Sequence, residues 1–227
     1  MYKEKIVCFI DILGFGEMVD SQYLSDPEKM CNILEEIRNS IVEWVGVPVA
    51  KKIDLQITQF SDCIVFSFVS NKHYFMTFNF MKDLSIKMVI KHAVLFRGGI
   101  TFGKVFHNPE TIFGPAMNCA YKLESEQAVY PRIVIDKKAL DLKDDDGKTI
   151  AEYPGQFVFK LTDTGFSYIE YIVDVVGYAD QNIFYSALRA IIAKGLLSSN
   201  PRVKEKYEWM REEYNKAKVN YPDLENL

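Results

Sequence analysis

The sequence predicts an α+β fold, an antiparallel sheet carrying helices, with a helical segment at the C-terminal end. Three observations predict it. Short apolar runs such as IVCFI at 6–10 and IVFSFV at 64–69 have the length of strands and lack helical spacing. Between them lie segments whose apolar residues recur every three or four positions, the pattern of a helix with one buried face. Glycine- and proline-bearing turns separate the two patterns. The composition agrees: 227 residues, 48% hydrophobic and 26% charged, describe a globular chain long enough to bury a core and exclude a disordered tail protein.

In chain order, KIVCFI at 5–10 reads as a strand covered on both faces, because its apolar residues do not alternate with polar ones. It ends in Asp11 and the glycine turn ILGFG. Asp26 as N-cap and Pro27 at the first helical position open an amphipathic helix, with Met30, Ile33, Leu34, Ile37, Ile41 and Val45 on one stripe. After a break at Gly46–Pro48, DLQITQF and CIVFSFV are two strands joined by Ser61–Asp62 as a tight hairpin or bent ribbon. Residues 72–92 form a second helix, with Phe75, Met76, Phe78, Phe80 and Met81 as core. LFRGGITFGKVF follows as a glycine-punctuated strand or hairpin, then a turn at HNPET, a short helix from about Pro115 to Glu126 and the strand RIVID. After the acidic turn LKDDDGKT come strands near QFVFKL and SYIEYIVDV.

Strand, helix, strand, strand, helix, strand is the order of a ferredoxin-like sandwich. From Asp180 to Lys218 the pattern is helical, with Tyr207, Met210, Tyr214 and Ala217 forming a packing stripe. The expected organisation is one domain over residues 1–178 and a helical extension over 179–227, packed on that domain or on a dimer.

Lys+Arg 27 against Asp+Glu 31 leaves a net charge of −4 with no long basic run, which disfavours nucleic acid as a partner. A phosphorylated substrate would therefore need a metal ion to meet its charge. No apolar run approaches the ~20 residues of a membrane-spanning helix, and the first residues lack the pattern of a signal peptide, so a cytoplasmic protein is expected. The four cysteines form no CxxC pair and the three histidines are scattered; neither zinc nor a thiol redox centre is indicated, and the cysteines are expected to be reduced packing residues.

Asp11 and Asp62 each end or interrupt a strongly apolar strand. A carboxylate there is costly to bury unless it is paired or binds a metal; either alone reads more readily as a turn or cap aspartate, and the pair together is the stronger signal. Two hard oxygen ligands on adjacent strands suit Mg²⁺ or Mn²⁺. The turn Ile12, Leu13, Gly14, Phe15 offers backbone groups to a phosphate, but matches neither the P-loop nor the dinucleotide fingerprint. Asn118 and Lys122, four apart, project from one helix face, as a ribose–phosphate contact or as a solvated edge.

Taken together, FIDILGF, QFSDCIVF, FRGGITFGKVF and FGPAMNCAYKLES resemble, in order and spacing, the class III nucleotidyl cyclase catalytic domain over about residues 5–136. The resemblance implies the cyclase fold, two divalent cations held by Asp11, Asp62 and the backbone of Ile12, and triphosphate contacts from the turn through Phe15. It implies that Asn118 orients the ribose and that Lys122 stands where an arginine usually stabilises the reacting phosphate. Lysine keeps the charge without the bidentate fork. Base selection falls to Thr58, four residues before Asp62, and Thr111, seven before Asn118. A Thr/Thr pair lacks the charged partners typical of adenylate and guanylate cyclases. The sequence is most similar to the bacterial pyrimidine cyclases of Pycsar anti-phage systems, which implies UTP conversion to cyclic UMP, with CTP, a purine triphosphate, or a degenerate nucleotide-binding module as alternatives. Arg97 is either an ion-pair partner of the metal carboxylates or a base contact. In this family each site is shared between two subunits, which implies a homodimer.

Overall fold

The computed structural model describes residues 1–22, 26–70, 74–144, 146–153, 159–173, 175, 181–225 and 227. The chain runs β1 (Lys3–Ile12), a one-turn α1 (Phe15–Glu17), α2 (Pro27–Val45), α3 (Val47–Lys52), β2 (Gln56–Phe60), β3 (Cys63–Phe68), α4 (Met76–His92) and β4 (Phe96–His107). It continues through β5 (Ile112–Phe113), α5 (Pro115–Lys122), β6 (Ile133–Ile135), α6 (Lys137–Leu140), β7 (Phe159–Leu161), β8 (Ser167–Ile169), α7 (Gln181–Leu196) and α8 (Pro201–Ala217).

The sheet order is β2-β3-β1-β4-β6-β8-β7, with β5 paired to β4. Its first four strands, with α2 and α4 as crossovers, have the ferredoxin-like arrangement. β1 is central and antiparallel to both β3 and β4, which is why it tolerates an unbroken apolar run. Strand alternation sends Ile6, Cys8, Ile10 and Ile12 into the main core with α2 and α4, and sends Val7 and Phe9 to the opposite face, where they pack with Ala116 and Ala120 of α5. Asp26 caps α2 by accepting from the Lys29 N–H at 3.2 Å, and the buried stripe Met30, Ile33, Ile37 and Ile41 meets the sheet.

Gly99 on β4 lies directly beneath α5. A Cβ there would strike the Ala120 carbonyl oxygen and come within 2.6 Å of Leu123 Cβ. Gly99→Ala is expected to lower stability by about 3 kcal/mol. A clear fall in the denaturant midpoint is expected for it, whereas Gly16→Ala, whose Cβ meets nothing within 4 Å, leaves the midpoint near its original value; equal midpoints in the two variants would contradict this packing.

Several expectations need correction. The Gly46–Pro48 break does end α2 at Val45, but an unforeseen short helix, α3, follows it directly, with Pro48 in its first turn, where its missing N–H is harmless. The second helix begins at Met76 rather than at 72 (71–73 lie outside the described residues), and Met76 is 42% exposed rather than core. The helix after the HNPET turn ends as α5 at Lys122 and continues to Gln127 as a wider π-type turn. β4 and β6 pair in parallel, so the sheet is not wholly antiparallel. The late strands are short: β7 and β8 have three residues each. Cys31 is exposed on α2 instead of packed.

The stripe on α8 is used: Met210, Tyr214 and Ala217 form a second core with Phe184, Tyr185, Leu188 and Ile192 of α7 and with Ile86 and Val89 from the outer side of α4. The 178/179 boundary and Asp180 lie outside the described residues. Among the described residues no helix is long and apolar enough to cross a membrane.

Candidate functional site

Asp11 stands one residue before the end of β1, opposite Cys63 of β3 and Arg97 of β4. Period-two alternation places all three on the face that carries α5 rather than in the main core. Asp62 enters from the β2–β3 turn, where Ser61 adopts a positive φ of 54° and the Asp62 carbonyl accepts from the Ile12 N–H at 3.2 Å. One ligand atom each from Asp11, Asp62 and Cys63 lies within 4.8 Å of the others.

Asp11 is 8% exposed, and its Oδ2 takes a 2.8 Å ion pair from Arg97 Nη2. The same nitrogen lies 2.6 Å from Glu124 Oε1, just beyond α5. Burial raises the Asp11 pKa, Arg97 opposes the rise and Asp62 reinforces it. Glu124 is likewise raised by burial, against the pull of Arg97. Burial, then the neighbouring carboxylates, push the Cys63 thiol up to about 12, so it keeps its proton. Two carboxylates on adjacent strands form a hard oxygen donor pair that fits Mg²⁺ or Mn²⁺, with the Cys63 thiol beside them.

The turn after β1 is only partly available to a ligand. The Ile12 N–H is committed to Asp62 and the Leu13 N–H donates to the Leu95 carbonyl at 2.9 Å. Gly14 has φ 78°, a left-handed conformation natural to glycine, and opens α1. The turn borders a cavity of about 440 Å³ whose far wall comes from Ile191, Lys194, Val203 and Tyr207 of the C-terminal helices.

Asn118 and Lys122 point away from this cluster. On α5, Ala116 and Ala120 are buried against the sheet, and Asn118 and Lys122 are exposed on the other side of the helix, along a groove of about 440 Å³ with Pro115, Asp136 and Lys138. Thr58 is half-buried on β2, its hydroxyl 2.9 Å from His107 Nε2. Thr111 is exposed in the turn after His107, and its N–H donates to Asn108 Oδ1 at 2.7 Å.

Sequence reasoning missed four residues here. Glu124 continues the Ala116, Ala120 spacing by four, so the stripe itself signalled a carboxylate facing the sheet. His107 shares strand parity with Arg97, which was also readable. Cys63 follows Asp62 directly, but only the register with Asp11 shows its place. Lys206 on α8, half-buried, lies within electrostatic reach of Arg97, Asp11 and Glu124, which no local pattern could reveal.

No family profile and no curated protein matches the sequence. Solved structures do. The chain is similar to the catalytic core of a rhodopsin-guanylyl cyclase with converted specificity in complex with ATPalphaS, at 18% identity and a TM-score of 0.52, over 74% of this chain and 96% of that one. It is similar to the guanylate cyclase domain from Catenaria anguillulae in complex with GTP, at 19% identity and TM-score 0.50 over 74% and 94% of the two chains. A bacterial light-regulated adenylyl cyclase aligns at 15% identity and TM-score 0.50 over 84% of this chain and 99% of its own. The fold is that of a class III cyclase catalytic domain.

Proposed function

We propose that the protein is a nucleotidyl cyclase that converts UTP to 3′,5′-cyclic UMP and pyrophosphate. The observation that carries this reading is the Asp11–Asp62 carboxylate pair at the end of the central strand of a cyclase fold. Asp11, Asp62 and the Ile12 carbonyl would hold divalent cations, which when bound would activate the 3′-hydroxyl and neutralise the triphosphate. Arg97 balances part of the charge on Asp11 and fixes its carboxylate toward Asp62. Because the Ile12 and Leu13 N–H groups are committed, triphosphate contacts from the turn fall to Gly14 and Phe15.

Asn118, the ribose-orienting side chain, and Lys122, which holds negative charge on the reacting phosphate, face away from Asp11 on their own chain. A second copy would present them to it, so the active form is a homodimer with two shared sites. Positioning and charge stabilisation then account for the rate. The likeness of the motifs to pyrimidine cyclases and the uncharged Thr58 and Thr111 support UTP, and that likeness alone supports a cytoplasmic role in anti-phage defence.

Incubating the purified protein with Mn²⁺ and each of the four ribonucleoside triphosphates, with mass-spectrometric detection, tests this directly. Cyclic UMP is the expected product. Cyclic AMP or GMP as the main product would replace the pyrimidine reading with a purine one, and no cyclic product from any of the four would remove the cyclase reading.

A further inference from the structure

We propose that His107 is a specificity-determining residue: it holds the Thr58 hydroxyl through a relay that begins at Ser67 and so sets whether Thr58 donates to the nucleotide base or accepts from it. This rests on the cyclase reading, in which Thr58 faces the base. Thr58 and Ser67 share the face of the sheet that carries Asp11, on β2 and β3. The end of β4 folds over that face, with Val105 and Ile112 packing on Val7, Phe9 and Val65. This brings the imidazole between the two hydroxyls: Ser67 Oγ is 2.8 Å from Nδ1 and Thr58 Oγ1 is 2.9 Å from Nε2. Ser67 is fully buried, His107 is 8% exposed and Thr58 is half-buried, so the relay runs from the interior to the open face.

A neutral imidazole has one N–H and one lone pair, so its two neighbours receive opposite senses of hydrogen bond. Burial, reinforced by the ammonium of Lys5 and opposed by Asp54, lowers the His107 pKa to about 4 and keeps the ring in that neutral form near pH 7. When Ser67 donates to Nδ1, the Nε2–H donates to Thr58 and the threonine proton turns outward. In the other tautomer Thr58 donates to Nε2 and its oxygen is left to accept. At N3 uracil offers a donor and cytosine an acceptor, and at C4 the senses reverse, a carbonyl against an amino group, so a hydroxyl fixed in one sense at either position distinguishes the two bases. The tautomer favoured by Ser67 therefore chooses between them without a charged side chain.

The test is the UTP to CTP ratio of kcat/KM in the wild type, His107→Phe and Ser67→Ala, each checked for folding by thermal melting. His107→Phe keeps an aromatic ring and removes both hydrogen bonds. It is expected to raise KM for the preferred triphosphate about tenfold, the effect of one lost hydrogen bond, with kcat changed less than about threefold. Ser67→Ala, at a residue too buried to touch substrate, is expected to move the ratio severalfold toward unity. A folded, active pair of variants with the wild-type ratio overturns the role of His107 and leaves the cyclase reading standing. A wild type that converts neither UTP nor CTP overturns the pyrimidine reading, and this proposal with it.

Discussion

Asp62→Ala is expected to reduce cyclic product about a thousandfold or more, the consequence of losing the ~4 kcal/mol of charge stabilisation that one metal carboxylate supports. Asp62 is the cleaner probe of the two aspartates. It is half-exposed in a turn, whereas Asp11 is buried and holds Arg97, which also reaches Glu124. Removing Asp11 would leave the half-buried Arg97 guanidinium on Glu124 alone and confound catalysis with stability. The assay should be paired with Mn²⁺ titration of the purified protein. Asp62→Ala is expected to weaken metal binding while its melting temperature stays close to the wild-type value. Full activity in a folded Asp62→Ala protein would show that the cluster is not the metal site.

Mixing two inactive variants gives the other large effect. Asn118→Ala and Asp62→Ala homodimers are each expected to be nearly inactive, since every site in them lacks one essential group. In a randomly exchanged mixture about half of the dimers are mixed, each with one intact site of two, so activity is expected to return to about one quarter of the wild-type value. The geometry behind this is the orientation of α5, which buries Ala116 and Ala120 and turns Asn118 outward, away from the Asp11 of its own chain. A mixture as inactive as its components would mean that both groups act within one chain.

The apolar periodicity of the sequence located β1, α2, the β2–β3 hairpin and the C-terminal helices, because each announces itself within one element. Asp11 and Asp62 were conspicuous for the same reason, as charges in apolar strands. What stayed hidden depends on partners distant in sequence. Glu124 acquires meaning only when Arg97 is placed against it, and His107 only when the end of β4 folds over β2 and β3. The parallel pairing of β4 with β6 has no local signature, since Ile133–Ile135 would read the same in either direction. Met76 was misjudged because a helix that packs on both sheet and C-terminal helices carries apolar residues almost all round, and the start of such a helix can face out.

Gly195 shows what the C-terminal helices contribute beyond bulk. A Cβ on it would collide with the Tyr207 ring, so α7 and α8 cross at this point only because the glycine has no side chain. Tyr207 in turn shares a cavity wall with Leu13 and Gly14. The closeness of two helices at the far end of the chain thus sets the depth of the space behind the turn that follows the first strand. Truncation before α7 would not trim an appendage; it would unroof the cavity behind that turn and strip the outer side of α4.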